Sequence, residues 1–446
     1  MAGKRRVVIT GLGVAAPVGL GIESFWDGLL ERRCGLRGIE AFDASGLASR
    51  VGGELPEFQL GDSIPKTYRK SAKVMARDIV IAVVCAYHAV RDAGLRTKCI
   101  IERGEADGPS NVDSTRFGAN IGSGLICADL QELAGALATS VDEDGAFSLA
   151  RWGVEGMNNL TPLWLLKFLP NMLACHVTIV HDCQAPSNTI TCGEASSHLA
   201  IGEAFRTIAR GAADVCICGG AESKMNPMAV ARAMLLGRLN TKSNDDPKGA
   251  CRPFGAGRCG TVAAEGGGLT IIESLDHARA RGARIYAEVA GFASTSNRYS
   301  WSRPDPQGRP IALALGRALS DAGIVSGDVS LAVPDGLGLD EHDAAEARAW
   351  KSVLGEHLPR IPALSTRGAN GNCGAGAGVL EFSAMTMALH RNTVPASLNT
   401  DRLDAECAFR FVQADPIDSA IDYAVSTSSA LAGGQSSALV IRRFKE

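Results

Sequence analysis

The feature that most constrains the fold of this chain is the alternation of short apolar runs with longer amphipathic stretches. The apolar runs are rich in Val, Ile and Leu and are bounded by Gly or Pro, which is typical of buried strands. They read RRVVITGLG, DVCICGGAE, GGLTIIES, VSLAVPDG and SSALVIRR. Between them, MARDIVIAVVCAYHAVRDAG and SSHLAIGEAFRTIARG repeat apolar residues at helical spacing and end on glycine. This repeated order predicts an α/β fold with layers of buried strands and helices.

The length of the chain predicts more than one hydrophobic core. Its 446 residues exceed the usual ceiling for a single core, which is roughly 250–300 residues. The strand-led pattern starts again at about Ile285, which favours a duplicated fold. We therefore predict two core-forming halves, residues 1–275 and 276–446.

Composition argues against several classes of protein. Hydrophobic residues make up 46% of the chain, and the formal net charge of −3 gives no indication of a nucleic-acid partner. No run reaches the roughly 18–20 apolar residues of a membrane span. The 13 cysteines are scattered through apolar segments and no secretory signal precedes them, so we expect free thiols in a cytoplasmic protein.

The sequence offers no convincing cofactor or metal site. GLGVAAPVG follows the first predicted strand, but its third glycine is out of place for a dinucleotide fingerprint. The loop around Asn244, Asp245 and Asp246 lacks the glycine and the distant glutamate of a calcium loop. We therefore expect neither a cofactor nor a metal.

Several segments together resemble the β-ketoacyl-acyl carrier protein synthases of the thiolase superfamily. The likeness runs from about residue 5 to residue 443, and it is carried by RRVVITGLGVAAPVGLGIESFWDGLLERRCGLRGIEAFDASG, ARGAADVCICGGAE, CRPFGAGRCG and RGARIYAEVAGF. The resemblance implies a thiolase-like α/β fold with five layers, α-β-α-β-α, built from two duplicated halves. It also implies an obligate dimer.

The resemblance implies a chemistry that needs a cysteine and two histidines. A thiolate at a helix N-terminus takes the acyl chain, and the histidines stabilise the oxyanion that forms when malonyl loses carbon dioxide. The stretch TITCGEASSH, residues 189–198, covers the nucleophile position. Counting back from Gly202 in the family pattern C-x-x-x-x-x-x-I-G places Glu194 there. Cys192 lies two residues early, and an insertion of that size would rotate the helix face by about 200°.

The histidine positions differ from the family pattern as well. AVPDGLGLDEHDAAE aligns with the first histidine motif and has Asp335 at the histidine. RGANGNCGAGAGVLE aligns with the second motif, with Arg367 for the lysine, Asn372 for the histidine and Glu381 as the retained acidic residue. An ionised Asp335 would repel the developing enolate, and loss of one oxyanion donor typically costs about 10²–10³ in rate.

The loss of all three groups resembles the chain-length factor, the non-condensing partner of a complete ketosynthase. That subunit commonly has Gln at the cysteine position, whereas this chain has Glu194. In the C-terminal loop, Ala430 and Ala432 stand where condensing enzymes have phenylalanines. We therefore predict a ketosynthase-like subunit of fatty-acid or polyketide synthesis that sets chain length in a heterodimer, or that forms a homodimer.

Two alternatives stay open from the residues alone. Glu194 and Asp335 could meet in one cavity and act as an acid–base pair of a repurposed acyl-binding enzyme, because repulsion and burial would raise one pKa. Alternatively, Cys192 is the nucleophile of an active 3-oxoacyl-acyl carrier protein synthase.

Acyl carrier protein is the partner that the resemblance implies. Carrier proteins are acidic, and IPKTYRKSAK presents Lys66, Arg69 and Lys70 near the place where condensing enzymes have basic residues. Arg206 matches their helix arginine. The competing interpretation of these cations is an ordinary solvated face.

Overall fold

Each of the five apolar runs in the sequence contains a strand of the structure, and the structure has further strands that those runs did not predict. The computed structural model describes residues 5–431 and 434–446. Its strands are β1 Val7–Ala16, β2 Gly19–Leu20, β3 Leu36–Gly38, β4 Val51–Gly53, β5 Phe117–Ser123, β6 Asn188–Ile190, β7 Val215–Ser223, β8 Ala263–Ser274, β9 Ala287–Ser296, β10 Leu331–Val333, β11 Pro362–Ala363, β12 Thr393–Val394, β13 Arg410–Phe411, β14 Ile417–Asp418, β15 Tyr423–Ser429 and β16 Gln435–Arg442.

The two predicted amphipathic helices are present and correspond to α2 and α7. The α-helices are α1 Ile22–Leu30, α2 Arg77–Asp92, α3 Lys98–Glu102, α4 Leu130–Ala138, α5 Leu149–Val154, α6 Met172–His181, α7 Ser196–Ala209, α8 Pro227–Leu235, α9 Leu275–Ala280, α10 Arg309–Ala322, α11 Asp340–Leu354, α12 Arg367–Asn370 and α13 Ala377–Arg391. Gly94, which follows α2, has a φ of 66°, a left-handed conformation that glycine adopts without strain.

The two halves of the chain repeat one strand order. The first sheet runs β1-β8-β7-β5-β6 and the second runs β9-β16-β15-β10-β11, with β13 added at its edge. In each sheet the first two pairings are antiparallel and the next two are parallel. β1 also pairs with β9, with Val7 opposite Val289, which joins the two sheets edge to edge. The repeated order confirms the predicted duplication.

The helices complete five layers. α2 and α6 cover the outer side of the first sheet, α10 covers the second sheet with α11 packed on it, and α7 and α13 lie between the sheets. α13 is buried from Ala377 to Leu389, as expected for a helix with apolar or small residues on every side. This arrangement confirms the predicted α-β-α-β-α layers.

The two central helices bring the sequence motifs together. α7 follows the 3-10 turn Gly193–Ala195, α13 follows the 3-10 turn Gly374–Gly376, and the two turns are in contact. β7 approaches the second turn so closely that a Cβ atom on Gly220 would lie 2.6 Å from the Ala375 carbonyl oxygen. Only glycine fits at that crossing.

Three further predictions concern the whole chain. Within the described residues, every helix is too short or too polar to span a membrane. All 13 cysteines are free thiols. The predicted boundary between residues 275 and 276 falls in the first turn of α9, and it stays a prediction.

Candidate functional site

Glu194 is a buried, fully bonded carboxylate at the turn that leads into α7. Only 4% of its surface is exposed. Lys224 Nζ and Asn372 Nδ2 each lie 3.2 Å from its Oε1, and the backbone N–H of Leu431 donates to Oε2 at 3.0 Å. Burial alone would raise the pKa of Glu194, but the Lys224 charge and these donors lower it to about 2. The side chain is therefore ionised at neutral pH.

Lys224 is a site residue that the sequence analysis missed. It directly follows β7 and lies near two buried carboxylates, Glu194 and Glu222. Although burial disfavours the ammonium, these carboxylates raise the pKa of Lys224. A signal was available in the sequence, because polar residues just beyond the carboxyl end of a buried strand commonly line ligand sites.

Asp335 forms a second buried ion pair, with Arg367. The guanidinium contacts Asp335 Oδ1, and the backbone N–H of Ser429 donates to Oδ2 at 2.9 Å. Burial raises the pKa of Asp335, and the positive charge of Arg367 opposes that effect. For Arg367, burial lowers the pKa, but the negative charge of Asp335 raises it. Because both oxygens accept hydrogen bonds from strong donors, Asp335 has no proton to donate to an oxyanion.

Asn372 connects the two ion pairs. Its Nδ2 donates to Glu194, and its Oδ1 accepts from Arg367 Nη1 at 3.1 Å and from the Gly374 N–H at 2.9 Å. The side chain is fully buried. The three positions that we predicted to align with the family's cysteine and histidines therefore belong to one polar network, which we call the Glu194–Asp335 network. Its members are Glu194, Lys224, Asn372, Arg367 and Asp335.

Glu381 and Glu346 fix the loops that carry this network. Glu381 accepts the backbone N–H and the hydroxyl of Thr366 and lies 3.9 Å from Arg367 Nε. Burial raises the pKa of Glu381 to about 8. Glu346 accepts the Asp335 N–H at 2.8 Å and holds that loop against α11.

The two carboxylates of the network line different cavities. Glu194 lines a cavity of about 520 Å³, which we call the Glu194 cavity. Asp335 lines a much smaller cavity beside His342 and Glu346. The separation gives no support to an acid–base pair made of Glu194 and Asp335.

Cys192 lines the Glu194 cavity without being placed as a nucleophile. Its side chain is half-buried and precedes the turn Gly193–Ala195, outside α7. Burial raises the pKa of its thiol, whereas an activated cysteine has a lowered pKa. Ala430 lines the same cavity, and Ala432 lies outside the described residues.

The predicted carrier-protein residues lie in two different environments. Lys66, Arg69 and Lys70 are exposed on the 3-10 segment Lys66–Val74. Arg206 is half-buried: it pairs with Asp321 at 2.8 Å and donates to the Phe292 carbonyl at 2.9 Å. Arg206 therefore holds α7 against the second half, and its role in docking stays a prediction.

Comparison with known proteins identifies the family. The models of the β-ketoacyl synthase N-terminal and C-terminal domains match residues 4–278 and 286–401. The 3-oxoacyl-[acyl-carrier-protein] synthase 2 of Synechocystis sp. is 34% identical over 443 residues, which is 99% of each chain.

Two solved structures extend the comparison to three dimensions. A type II polyketide synthase acyl-carrier protein in complex with its ketosynthase matches with a TM-score of 0.82 and 28% identity, over 99% of this chain and 100% of that chain. The ishigamide ketosynthase/chain length factor matches with a TM-score of 0.83 and 25% identity, over the same shares of each chain. This chain therefore belongs to the β-ketoacyl synthase family, as shown by the two family-model matches, the 34% identity to a known synthase over almost its whole length, and the fold.

Proposed function

We propose that this chain is a ketosynthase-like subunit of fatty-acid or polyketide synthesis that does not itself condense acyl chains. The observation that carries the proposal is the Glu194–Asp335 network, which occupies the positions aligned with the family's cysteine and histidines. An ionised Glu194 is a poor acyl acceptor, because acylation would give a mixed anhydride. Asp335 is a carboxylate paired with Arg367, and the Nδ2 amide of Asn372 is held by its hydrogen bond to Glu194, so neither side chain is placed as a histidine N–H would be.

We propose further that the chain works beside a complete ketosynthase, in the manner of a chain-length factor. One structure that it resembles is named as a ketosynthase/chain length factor. A concentration of exposed apolar side chains in one segment supports a protein partner, because exposed apolar groups commonly mark interfaces. Among the residues that the structure describes, more than half of the large exposed apolar side chains fall in one segment, residues 125–165: Leu125, Leu130, Leu137, Phe147, Leu149, Val154, Met157, Leu163 and Leu165.

Acyl carrier protein remains the proposed small partner. The exposed cations Lys66, Arg69 and Lys70 suit an acidic protein, and a structure that this chain resembles holds a carrier protein with its ketosynthase. A second copy of this chain is the alternative to a complete ketosynthase as the large partner.

Intact-protein mass spectrometry tests the proposal. The chain is incubated with acyl-carrier protein and malonyl-carrier protein, alone and together with a complete ketosynthase. We expect no acyl adduct on this chain, and acylation and longer products only on the partner.

Matched cysteine variants identify any adduct that does form. An adduct that is lost in Cys192→Ser but kept in Cys127→Ser, another half-buried thiol, would overturn the proposal and make Cys192 the nucleophile. Turnover by the isolated chain that disappears in both Glu194→Gln and Asp335→Asn would instead favour the repurposed enzyme.

A further inference from the structure

The Glu194 cavity is lined by more cations than its own carboxylates can neutralise. Lys224, Arg232 and Arg238 face it together with two acidic side chains, Glu194 and Glu222. Glu194 already forms an ion pair with Lys224, with 3.2 Å between Oε1 and Nζ. Glu222 accepts the backbone N–H of Ala375 at 2.7 Å, and burial raises its pKa.

The two arginines have no ion pair of their own. Arg232 is exposed on the last turn of α8, and Arg238 is half-buried just beyond that helix. In the described part of the chain, neither guanidinium has a carboxylate oxygen within 4 Å. Arg206 and Arg367, by contrast, are each held by an internal carboxylate. Arg232 has the Cys127 thiol as a neighbour, whereas Arg238 is the half-buried one of the two, and a half-buried guanidinium is costly unless a hydrogen-bonding group, water or a ligand satisfies it.

The rest of the cavity is suited to an extended polar ligand. Its volume of about 520 Å³ lies within the usual range for small-molecule sites, roughly 300–1,000 Å³. Thr191 and Gln435 add polar groups to the lining, and the small side chain of Ala430 leaves the wall open. Guanidinium groups bind carboxylates and phosphates through two parallel hydrogen bonds.

We propose that Lys224, Arg232 and Arg238 form an anion site in the Glu194 cavity. The ligand is an oxyanion, either a phosphate on the arm that delivers an acyl chain or a carboxylate at the reacting end of that chain. The choice of a carrier-borne ligand rests on the proposed function, whereas the anion site itself rests on the cavity and its charges. Lys224 serves both the network and the site, because its ammonium has more than one donor hydrogen.

Isothermal titration of the full chain tests the site with three probes. These are pantetheine, which is neutral, pantetheine 4′-phosphate, which adds a phosphate, and malonyl-pantetheine, which adds a carboxylate. We expect at least one charged probe to bind about tenfold more tightly than pantetheine, because a hydrogen bond to a charged group contributes roughly 1.5–3 kcal/mol. The probe that gains affinity identifies the source of the anion.

Variants at the cavity and elsewhere decide whether these arginines are responsible. Arg232→Gln and Arg238→Gln should each remove the tenfold gain, and Arg232→Lys should keep part of it. Arg298→Gln is the matched control, because this arginine faces a different cavity. Equal binding of all three probes, no binding of any probe, or the same loss in Arg298→Gln would overturn the proposal. The mass measurement of acylation is a separate readout, so either proposal can fail without the other.

Discussion

Glu194 and Lys224 show that the position of the missing nucleophile is occupied by a specific interaction. Both side chains are largely buried, since 6% of the side-chain surface of Glu194 and 17% of that of Lys224 are exposed, and the two form an ion pair. A buried ion pair contributes little net stability, but removal of one member leaves the other charge without compensation. The stability of the chain should therefore depend on the pair as a unit.

Glu194→Gln should lower the free energy of unfolding by about 3 kcal/mol, because it leaves the Lys224 ammonium without its carboxylate. The double variant Glu194→Gln/Lys224→Met should regain most of the lost free energy of unfolding, because it no longer has an unpaired buried ammonium. Urea denaturation at pH 7, followed by circular dichroism, measures both effects.

Glu341→Gln provides the matched control for that comparison. Glu341 pairs with Arg303 on the surface, where both side chains are more than half exposed, at 53% and 61%. Loss of this surface ion pair should lower the free energy of unfolding by less than about 1 kcal/mol. Equal losses in the two variants would contradict the special role of the buried pair.

Glu381 predicts a pH dependence of stability in the neutral range. Burial raises its pKa in the folded chain to about 8, above the ordinary value of 4.5. The folded state therefore holds a proton that the unfolded state releases, so this contribution to stability is complete below pH 4.5 and is lost as the pH rises through 8.

The free energy of unfolding of the wild type, measured relative to that of Glu381→Gln, should therefore decrease from pH 5 to pH 8. We expect this difference in the free energy of unfolding to fall by about 1 kcal/mol per pH unit, close to the limit of roughly 1.4 kcal/mol for the release of one proton. Denaturation of both proteins across this range measures it, and parallel curves would show that Glu381 titrates normally.

The sequence predicted part of this site. The family motifs predicted Glu194 and Asp335 as site positions, and the structure joins the two through Asn372 and Arg367. Lys224 was missed because its partner lies 30 residues away on another element, and no local pattern marks that contact. The pairing of Arg206 with Asp321, 115 residues apart, depends in the same way on how the two halves pack.

At the scale of elements, the fold depends on close approaches between strands and helices. β1 and α2 meet at Gly13, where a Cβ atom would lie 2.0 Å from the Cys85 carbonyl oxygen and 2.4 Å from the Ala89 nitrogen. Both contacts are with backbone atoms of α2, which cannot move away as a flexible side chain can. The glycines in the GLG run of the first strand were predicted as strand residues, but the proximity of α2 was not visible in the sequence.

Gly13→Ala should destabilise the chain by about 2–3 kcal/mol through this overpacking. Gly316→Ala is its control, because Gly316 lies inside α10 and a Cβ atom there would meet nothing within 4 Å. That change should be neutral or stabilising by up to about 1 kcal/mol, since alanine is the better helix former. Thermal unfolding of the two variants compares them, and a loss in both would point to a general intolerance of glycine replacement.

At the scale of the whole molecule, the strand order was predictable only in part. The alternating pattern and the length predicted layers and two halves, and both were confirmed. The pairing of β1 with β9 was not predicted, because it joins residues that lie more than 270 positions apart, such as Val7 and Val289. Nothing in a local pattern specifies which edges of two sheets meet.

The exposed apolar segment of residues 125–165 predicts a protein interface. Leu149 and Val154, on α5, are 78% and 73% exposed. Leu149→Glu and Val154→Glu together should weaken assembly with a complete ketosynthase, or with a second copy, by at least about tenfold, because a charge is costly in an apolar contact. Native mass spectrometry over a concentration series measures the assembly.

Val325→Glu serves as the control for the interface variant. Val325 is 69% exposed but lies in the second half, far along the chain from the segment. Its replacement should leave assembly unchanged. Loss of assembly in this variant as well would place the interface elsewhere or show that general surface charge controls it.

The position of β1 in the middle of the joined sheets has a consequence for how a ribosome makes this protein. Within the described residues, β1 pairs with the short strand β2, with β8, which starts at Ala263, and with β9. At about 5–20 residues per second, roughly 10–50 s pass between the synthesis of β1, whose ten residues are all buried in the folded chain, and the start of β8. Throughout that time β1 lacks its main sheet partners, and exposed strands of this kind are prone to aggregate, so we expect nascent-chain chaperones to raise the yield of folded protein.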